Sequence, residues 1–271
     1  MSDAPNGPEP SADTTTPVRV VRVRDGERAE VGDRVVREES VVLYVGERRL
    51  LRLQCLPVGV EDLAVGLLAT SGLLEPGAAA PEVTYDADAH RATVALDVPE
   101  ERLAALEATM TLGSGCGAAL SPTGEFDPFD CSRKIDTSFS VAAQTVSAAM
   151  TAFSQRSRLF RETGGVHSAA ICRDDQILAF ADDIGRHNAF DKVIGACRRR
   201  GIDLVDKTAL VSGRLSRELV AKAVPVSLPV VVSRGAPTDA GIILAAAANL
   251  TLIGFARASR MNVYSADWRV A

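Results

Sequence analysis

Residues 208–238 read TALVSGRLSRELVAKAVPVSLPVVVSRGAPT. An apolar run over residues 208–212 passes through the polar loop Ser212-Gly213-Arg214 into a helical stretch at 215–224. A second apolar run at 229–233, a second polar loop (Ser233-Arg234-Gly235-Ala236-Pro237-Thr238) and a second helix after Pro237 repeat the pattern. Short apolar strands separated by single helices make parallel neighbours, because a parallel connection has to cross over the sheet. The stretch therefore predicts an α/β layered domain with a partly parallel sheet. In such sheets ligands bind at the carboxyl ends of the strands, and helix N-termini there favour anions.

The same rhythm extends outward. Upstream, the spacing predicts a helix over 141–153 and strands at 168–172 and 176–181 around Arg173-Asp174-Asp175. Asn188, with Asp191 three residues on, reads as the N-cap of a helix that stops at Gly201. Downstream, 251–255 reads as a strand. Residues 136–271 thus form the C-terminal α/β domain. Residues 17–110 read as a smaller mixed α+β part. It has an alternating Val/Arg strand at 18–24, a hairpin of 41–45 with 51–55 (Leu51, Leu53 and Cys55 on one face) and a helix over 61–71. It continues with an alternating strand at 91–98 and a short helix after Pro99. Between the two parts, residues 111–135 hold Gly113-Ser114-Gly115-Cys116-Gly117-Ala118-Ala119, a stretch without bulky side chains that reads as a flexible loop. Residues 1–16 are rich in Pro, Ser, Thr and Asp and read as a disordered tail.

Composition excludes several classes. A net charge of −5 and an aromatic fraction of 4% argue against a general nucleic-acid binder. No apolar run reaches the ~18–20 residues of a membrane span, and no basic start leads into an apolar stretch as in a secretory signal. Five cysteines, at 55, 116, 131, 172 and 197, form no C-x-x-C pair. An odd, scattered set is a poor disulfide framework and fits a reducing, cytoplasmic setting. Cys55, Cys172 and Cys197 fall in apolar periodic segments and read as core hydrophobes. No metal site is expected: the chain has three histidines, and no cysteine pair near His167 or His187 completes a tetrahedral set.

Candidate chemistry lies in the loops. Asp182-Asp183-Ile184-Gly185-Arg186-His187-Asn188 reads equally as a turn with a helix cap and as a cleft wall where Arg186 and His187 face an anionic or heterocyclic ligand. Thr163-Gly164-Gly165-Val166-His167 reads as a close-approach loop before a strand. Arg257 and Arg260, in what reads as an irregular loop, can fork around phosphate oxygens, although such pairs are more often solvated surface. Cys116 is framed by glycines and accessible, but composition alone does not raise it above an incidental loop cysteine.

Taken together, the ordered segments resemble the FdhD/NarQ family, the formate dehydrogenase accessory sulfurtransferases. They include Thr163-Gly164-Gly165-Val166-His167, Asp183-Ile184-Gly185-Arg186-His187-Asn188, Asp191-Lys192, Ser212-Gly213-Arg214 with Ser216, Glu218 and Lys222, and Ser233-Arg234. Thr251-Leu252-Ile253-Gly254-Phe255-Ala256-Arg257 and Asn262-Val263-Tyr264 follow, and Val60-Glu61-Asp62-Leu63 with Ser71-Gly72 carries the likeness toward the N-terminus. It covers roughly residues 18–271.

The resemblance implies a cytoplasmic carrier that takes persulfide sulfur from a cysteine desulfurase onto Cys116. It delivers the sulfur to bis-molybdopterin guanine dinucleotide, its cargo, before that cofactor enters formate dehydrogenase. It further implies a cytidine-deaminase-like C-terminal domain without the zinc ligands, and it allows a homodimer. The cofactor-binding stretch falls on Phe255, Ala256, Arg257, Ala258, Ser259 and Arg260, with His187, Ser212 and Ser233 nearby. One departure stands out: the family commonly has a second cysteine in the loop, and here that position is Ala119. A single thiol can hold a persulfide but cannot expel the sulfur by closing a disulfide within the loop. The alternative is a non-catalytic cofactor-binding chaperone. A hydrolytic deaminase is disfavoured by the missing Cys-x-x-Cys and His-x-Glu.

Overall fold

The computed structural model of the chain describes residues 7–113, 133–257 and 259–271. Its larger sheet runs β12-β11-β10-β9-β7-β8. The strands are β7 (His167–Arg173), β8 (Gln176–Asp183), β9 (Thr208–Val211), β10 (Val230–Ser233), β11 (Thr251–Arg257) and β12 (Arg260–Ser265). The central β9, β10 and β11 are parallel; β7, β8 and β12 join antiparallel. Every residue of β9 and β10 is buried, because helices cover both faces of a parallel sheet.

Side-chain alternation sorts the strands into two cores. Ala169, Ile171, Ala209, Val211, Val231 and Leu252 face α5 (Arg186–Arg199), α6 (Arg217–Ala223) and α7 (Asp239–Ala247). Ala170, Cys172, Leu210, Val230, Val232 and Ile253 face α3 (Ala143–Ser154) through Val146, Ala149, Met150 and Phe153.

The smaller sheet runs β4-β3-β6-β5, from β3 (Glu39–Val45), β4 (Arg48–Cys55), β5 (Val83–Asp86) and β6 (Arg91–Val94). Its Val41, Leu43, Val45, Ala92 and Val94 belong to the same core as α1 (Val60–Thr70) and α5. The two parts of the chain therefore share one hydrophobic interior rather than meeting across a linker. α1 and α5 touch backbone to backbone. A Cβ on Gly66 would stand 1.8 Å from the Asp191 carbonyl oxygen, and one on Gly195 would stand 1.8 Å from that of Asp62. The remaining elements are a two-stranded ribbon of β1 (Thr15–Arg24) and β2 (Glu27–Val36), α2 (Glu100–Gly113) and α4 (Arg158–Thr163).

Three expectations are corrected. Residues 7–16 are not an unordered tail: Thr14 and Thr15 are buried, Ser11 N–H donates to Thr14 Oγ1 at 2.8 Å, and β1 starts at Thr15. The face of Leu51, Leu53 and Cys55 holds, the two leucines packing half-buried against the core that takes in Cys55, and a bulge after Leu43 brings Leu50 into that core as well. Asn188 does not cap α5, which starts from Gly185; it lies inside the helix, its Nδ2 donating to the Gln54 carbonyl and to Asp183 Oδ1. Arg257 and Arg260 do not lie in an irregular loop: Phe255, Ala256 and Arg257 end β11 and Arg260 starts β12, with Arg257 opposite Arg260. Among the described residues no helix is long and apolar enough to cross a membrane.

Candidate functional site

A cleft of about 590 Å³ lies along the carboxyl edge of the parallel strands, within the size range of small-molecule sites. Ser212 follows β9, Arg234 and Gly235 follow β10, and Arg257 ends β11; all line it. The antiparallel β7 brings its first residues, His167 and Ser168, to the same edge, and Ile184 arrives from the end of β8. Gly164-Gly165-Val166 and the segment from Phe153 to Phe160 close the far wall. Arg234 and Arg257 supply the charge. Among the described residues no carboxylate lines the cleft, so its chemistry favours an anion.

Serines hold the floor. Ser212 Oγ accepts from Ser168 N–H at 3.0 Å and lies 3.2 Å from His167 Nδ1. Behind them, Ser168 and Ser157 both donate to buried Asp182, at 2.6 and 2.7 Å. Burial pushes the Asp182 carboxyl up, against the two serine hydroxyls that favour its charge. Burial and then Arg186 push His167 down, leaving a neutral imidazole on the cleft wall.

Close packing of small residues brings the loops together. A Cβ on Gly235 would meet the Gly213 carbonyl oxygen at 3.0 Å, and one on Gly213 would meet the Arg186 side chain at 2.9 Å. Phe255 adopts a φ of 53° and donates its N–H to Gly235 O at 3.0 Å. A bulky residue there is a real backbone outlier, fixed by the register shift between Gly254 and Arg257. The extra residue puts Ile253 and Ala256, three positions apart, in the same core under α3, and re-aims Arg257.

The sequence-predicted residues divide. Ser212 and Arg257 share the cleft, and Phe255 supports its rim. Ala256 is core. Ser233 is fully buried, its hydroxyl donating to Gly213 O at 2.5 Å and accepting from Gly235 N–H at 2.9 Å. Ser259 and Arg260 border a different depression with Ala143, Gln144, Ser147 and Met261. His187 stands apart from the cleft lining, at the first turn of α5; burial, then Lys222 and Arg186, push it down to about 3. Among the described residues its Nε2 is buried without a hydrogen-bond partner. Cys116, Cys131 and Ala258 lie outside the described residues. The other cysteines, 55, 172 and 197, are free and buried, and burial pushes each thiol up to about 12.

Sequence reasoning missed His167, Ser168, Arg234 and Ser157 as neighbours of this cleft. The glycine pair before His167 and the loop after the 229–233 run were the usable signals for two of them.

A model of the FdhD/NarQ family matches residues 36–271. The chain belongs to this family. Among curated FdhD/NarQ relatives, the sulfur carrier protein FdhD of Wolinella succinogenes is 36% identical over 93% of this chain and 88% of its own. That of Bacillus subtilis is 33% identical over 95% and 98%. The fold matches the crystal structure of a protein described as a formate dehydrogenase accessory protein from Desulfotalea psychrophila. The TM-score is 0.76 at 21% identity, covering 95% of this chain and all of that one.

Proposed function

We propose that the chain is a sulfur carrier that loads a persulfide on Cys116 and passes the sulfur to bis-molybdopterin guanine dinucleotide, held as cargo, for formate dehydrogenase. The observation that carries the reading is the arginine-lined cleft, free of carboxylates among the described residues, in a chain whose relatives are named sulfur carrier proteins. A guanine-nucleotide end of the cargo suits that cleft, with Arg234 and Arg257 on its phosphates. The buried cysteines support the assignment of the thiol by elimination. A thiol near 12 in a closed core is neither ionised nor reachable, whereas the carrier step needs a thiolate. In that step the Cys116 thiolate attacks the outer sulfur of a cysteine desulfurase persulfide. A new S–S bond forms on Cys116 as the donor's S–S bond breaks, and the donor cysteine leaves as thiolate.

Incubation with a cysteine desulfurase and cysteine, followed by mass spectrometry, tests this reading. The chain should gain one sulfur atom, Cys116→Ala should gain none while remaining folded, and Cys131→Ala should lose much less. A cofactor-chaperone reading is favoured by Ala119, which removes the partner thiol of the loop. It wins if Cys116→Ala still restores formate dehydrogenase in a deletion strain.

A further inference from the structure

The ribbon of β1 and β2 has no part in the cleft. Asp25 and Gly26, at φ 52° and 86°, form a two-residue turn that pairs Arg24 with Glu27, and among the described residues neither strand pairs with a third. The base is anchored. Arg34 Nε meets Glu162 at 2.8 Å, and Val36 packs on Leu56, Leu159 and Val166. The far half stands in solvent: residues 21–30 are all exposed, with Val21 at 49% and Val23 at 61%. A lone two-stranded hairpin is marginal in water, and an uncovered edge is a template for another strand.

The edge has a direction and a charge. Arg37 N–H donates to Thr14 O at 2.9 Å, so the even-numbered residues of β1 exchange bonds with β2. The N–H and C=O groups of Arg19, Val21 and Val23 therefore point away from β2, and Pro17 ends that row. β1 carries Arg19, Arg22 and Arg24 and no carboxylate, while β2 sets Glu27, Glu30 and Asp33 against Arg28 and Arg34 and is acidic by one charge. Arg22 reaches Asp33 at 3.5 Å and Arg24 reaches Asp25 at 3.9 Å, but these pairs are solvent-exposed and weak.

We propose that the free edge of β1 docks an extended acidic segment of a protein partner, which adds to the ribbon as a third strand across Arg19, Val21 and Val23. A second copy of this chain fits less well. β1 against β1 would gather the arginines of both copies, and β1 against β2 would be a head-to-tail contact that does not close. The base of the ribbon packs on Val166, and Gly165 abuts Val36, so a partner on the arm is held beside the cleft wall. The inference does not depend on sulfur transfer.

The test uses the full chain and two synthetic peptides, one alternating valine with glutamate and one alternating valine with lysine. The glutamate peptide should bind and slow amide exchange at Arg19, Val21 and Val23; the lysine peptide should not. The triple variant Arg19→Glu, Arg22→Glu, Arg24→Glu should lose affinity for the glutamate peptide by on the order of tenfold or more and gain it for the lysine peptide. The proposal is overturned if neither peptide binds, or if protection falls on other amides. It is equally overturned if those amides become protected with rising protein concentration alone, or with phosphatidylglycerol vesicles and not with peptide.

Discussion

Arg257 and Arg260 stand three positions apart, yet the bulge at Phe255 sends the first to the cleft and leaves the second at a separate depression. Arg257→Ala and Arg234→Ala should each weaken guanosine diphosphate binding by about 1.5–3 kcal/mol, roughly ten- to a hundred-fold, through loss of a charge-assisted contact. Arg260→Ala should bind like the parent; calorimetry on the three variants separates a cleft site from one at the hairpin tip. His187 makes a second residue-level prediction. Its folded pKa of about 3 lies below the ordinary 6.5, so between these values the unfolded chain takes up a proton that the folded chain refuses. Its contribution to stability is constant above pH 6.5 and declines as the pH falls toward 3, and His167 acts with the same sign. From pH 7 to 5 the His187 share is about 2 kcal/mol. Urea titrations at the two pH values should show His187→Gln losing less stability on acidification than the parent by about that amount. An equal loss in both would mean the imidazole is not held neutral.

The helix crossing of α1 and α5 shows how an element-level feature reverses a residue-level rule. Gly→Ala inside an exposed helix ordinarily stabilises by about 0.5–1 kcal/mol. At Gly195 the new methyl would stand 1.8 Å from the Asp62 carbonyl oxygen, which belongs to backbone and cannot swing aside. Gly195→Ala should therefore destabilise by about 3 kcal/mol or more, a fall in Tm on the order of 5–10 °C; calorimetry showing a rise would refute the close crossing. Neither glycine announced this, since a mid-helix glycine reads the same whether it faces solvent or another backbone. Elements whose apolar runs are buried on both faces, such as β9, β10 and β11, were legible in the sequence nearly to the residue. β2 was not, because Glu27–Val36 mixes charge and Gly32 and buries almost nothing. β12 escaped because it pairs only at the sheet edge and stays half-buried, leaving no clean alternation. The site was legible as loops at the right edge of the sheet. Which side chains share the cleft was not, because a one-residue bulge and a chain of serine hydroxyls around Asp182 decide it.

At the scale of the molecule, the question is whether the division into an N-terminal α+β part and a C-terminal α/β part has any energetic meaning. Asp183, at the end of β8, accepts from Lys192 Nζ at 2.7 Å, Gly185 N–H and Asn188 Nδ2 at 3.0 Å, and Leu56 N–H at 3.2 Å. Lys192 in turn donates to Leu56 O at 2.9 Å. Asp191 accepts from Lys222 at 2.7 Å and from Thr70 at 2.7 Å. Leu56 and Thr70 belong to the first part and the four charges to the second, so each buried ion pair completes its hydrogen bonds across the boundary. Asp183→Asn keeps the shape but leaves Lys192 buried without a counter-charge, at a cost of about 3–5 kcal/mol. Because both parts share one core, that cost should fall on the whole chain. Fluorescence of the sole tryptophan, Trp268, and amide exchange of residues 41–45 in the small sheet should report the same unfolding free energy, lowered equally in the variant. If residues 41–45 opened at a markedly lower free energy than the region around Trp268, the two parts would be separate folding units that only dock, and the ion pairs would be interface contacts rather than parts of one interior.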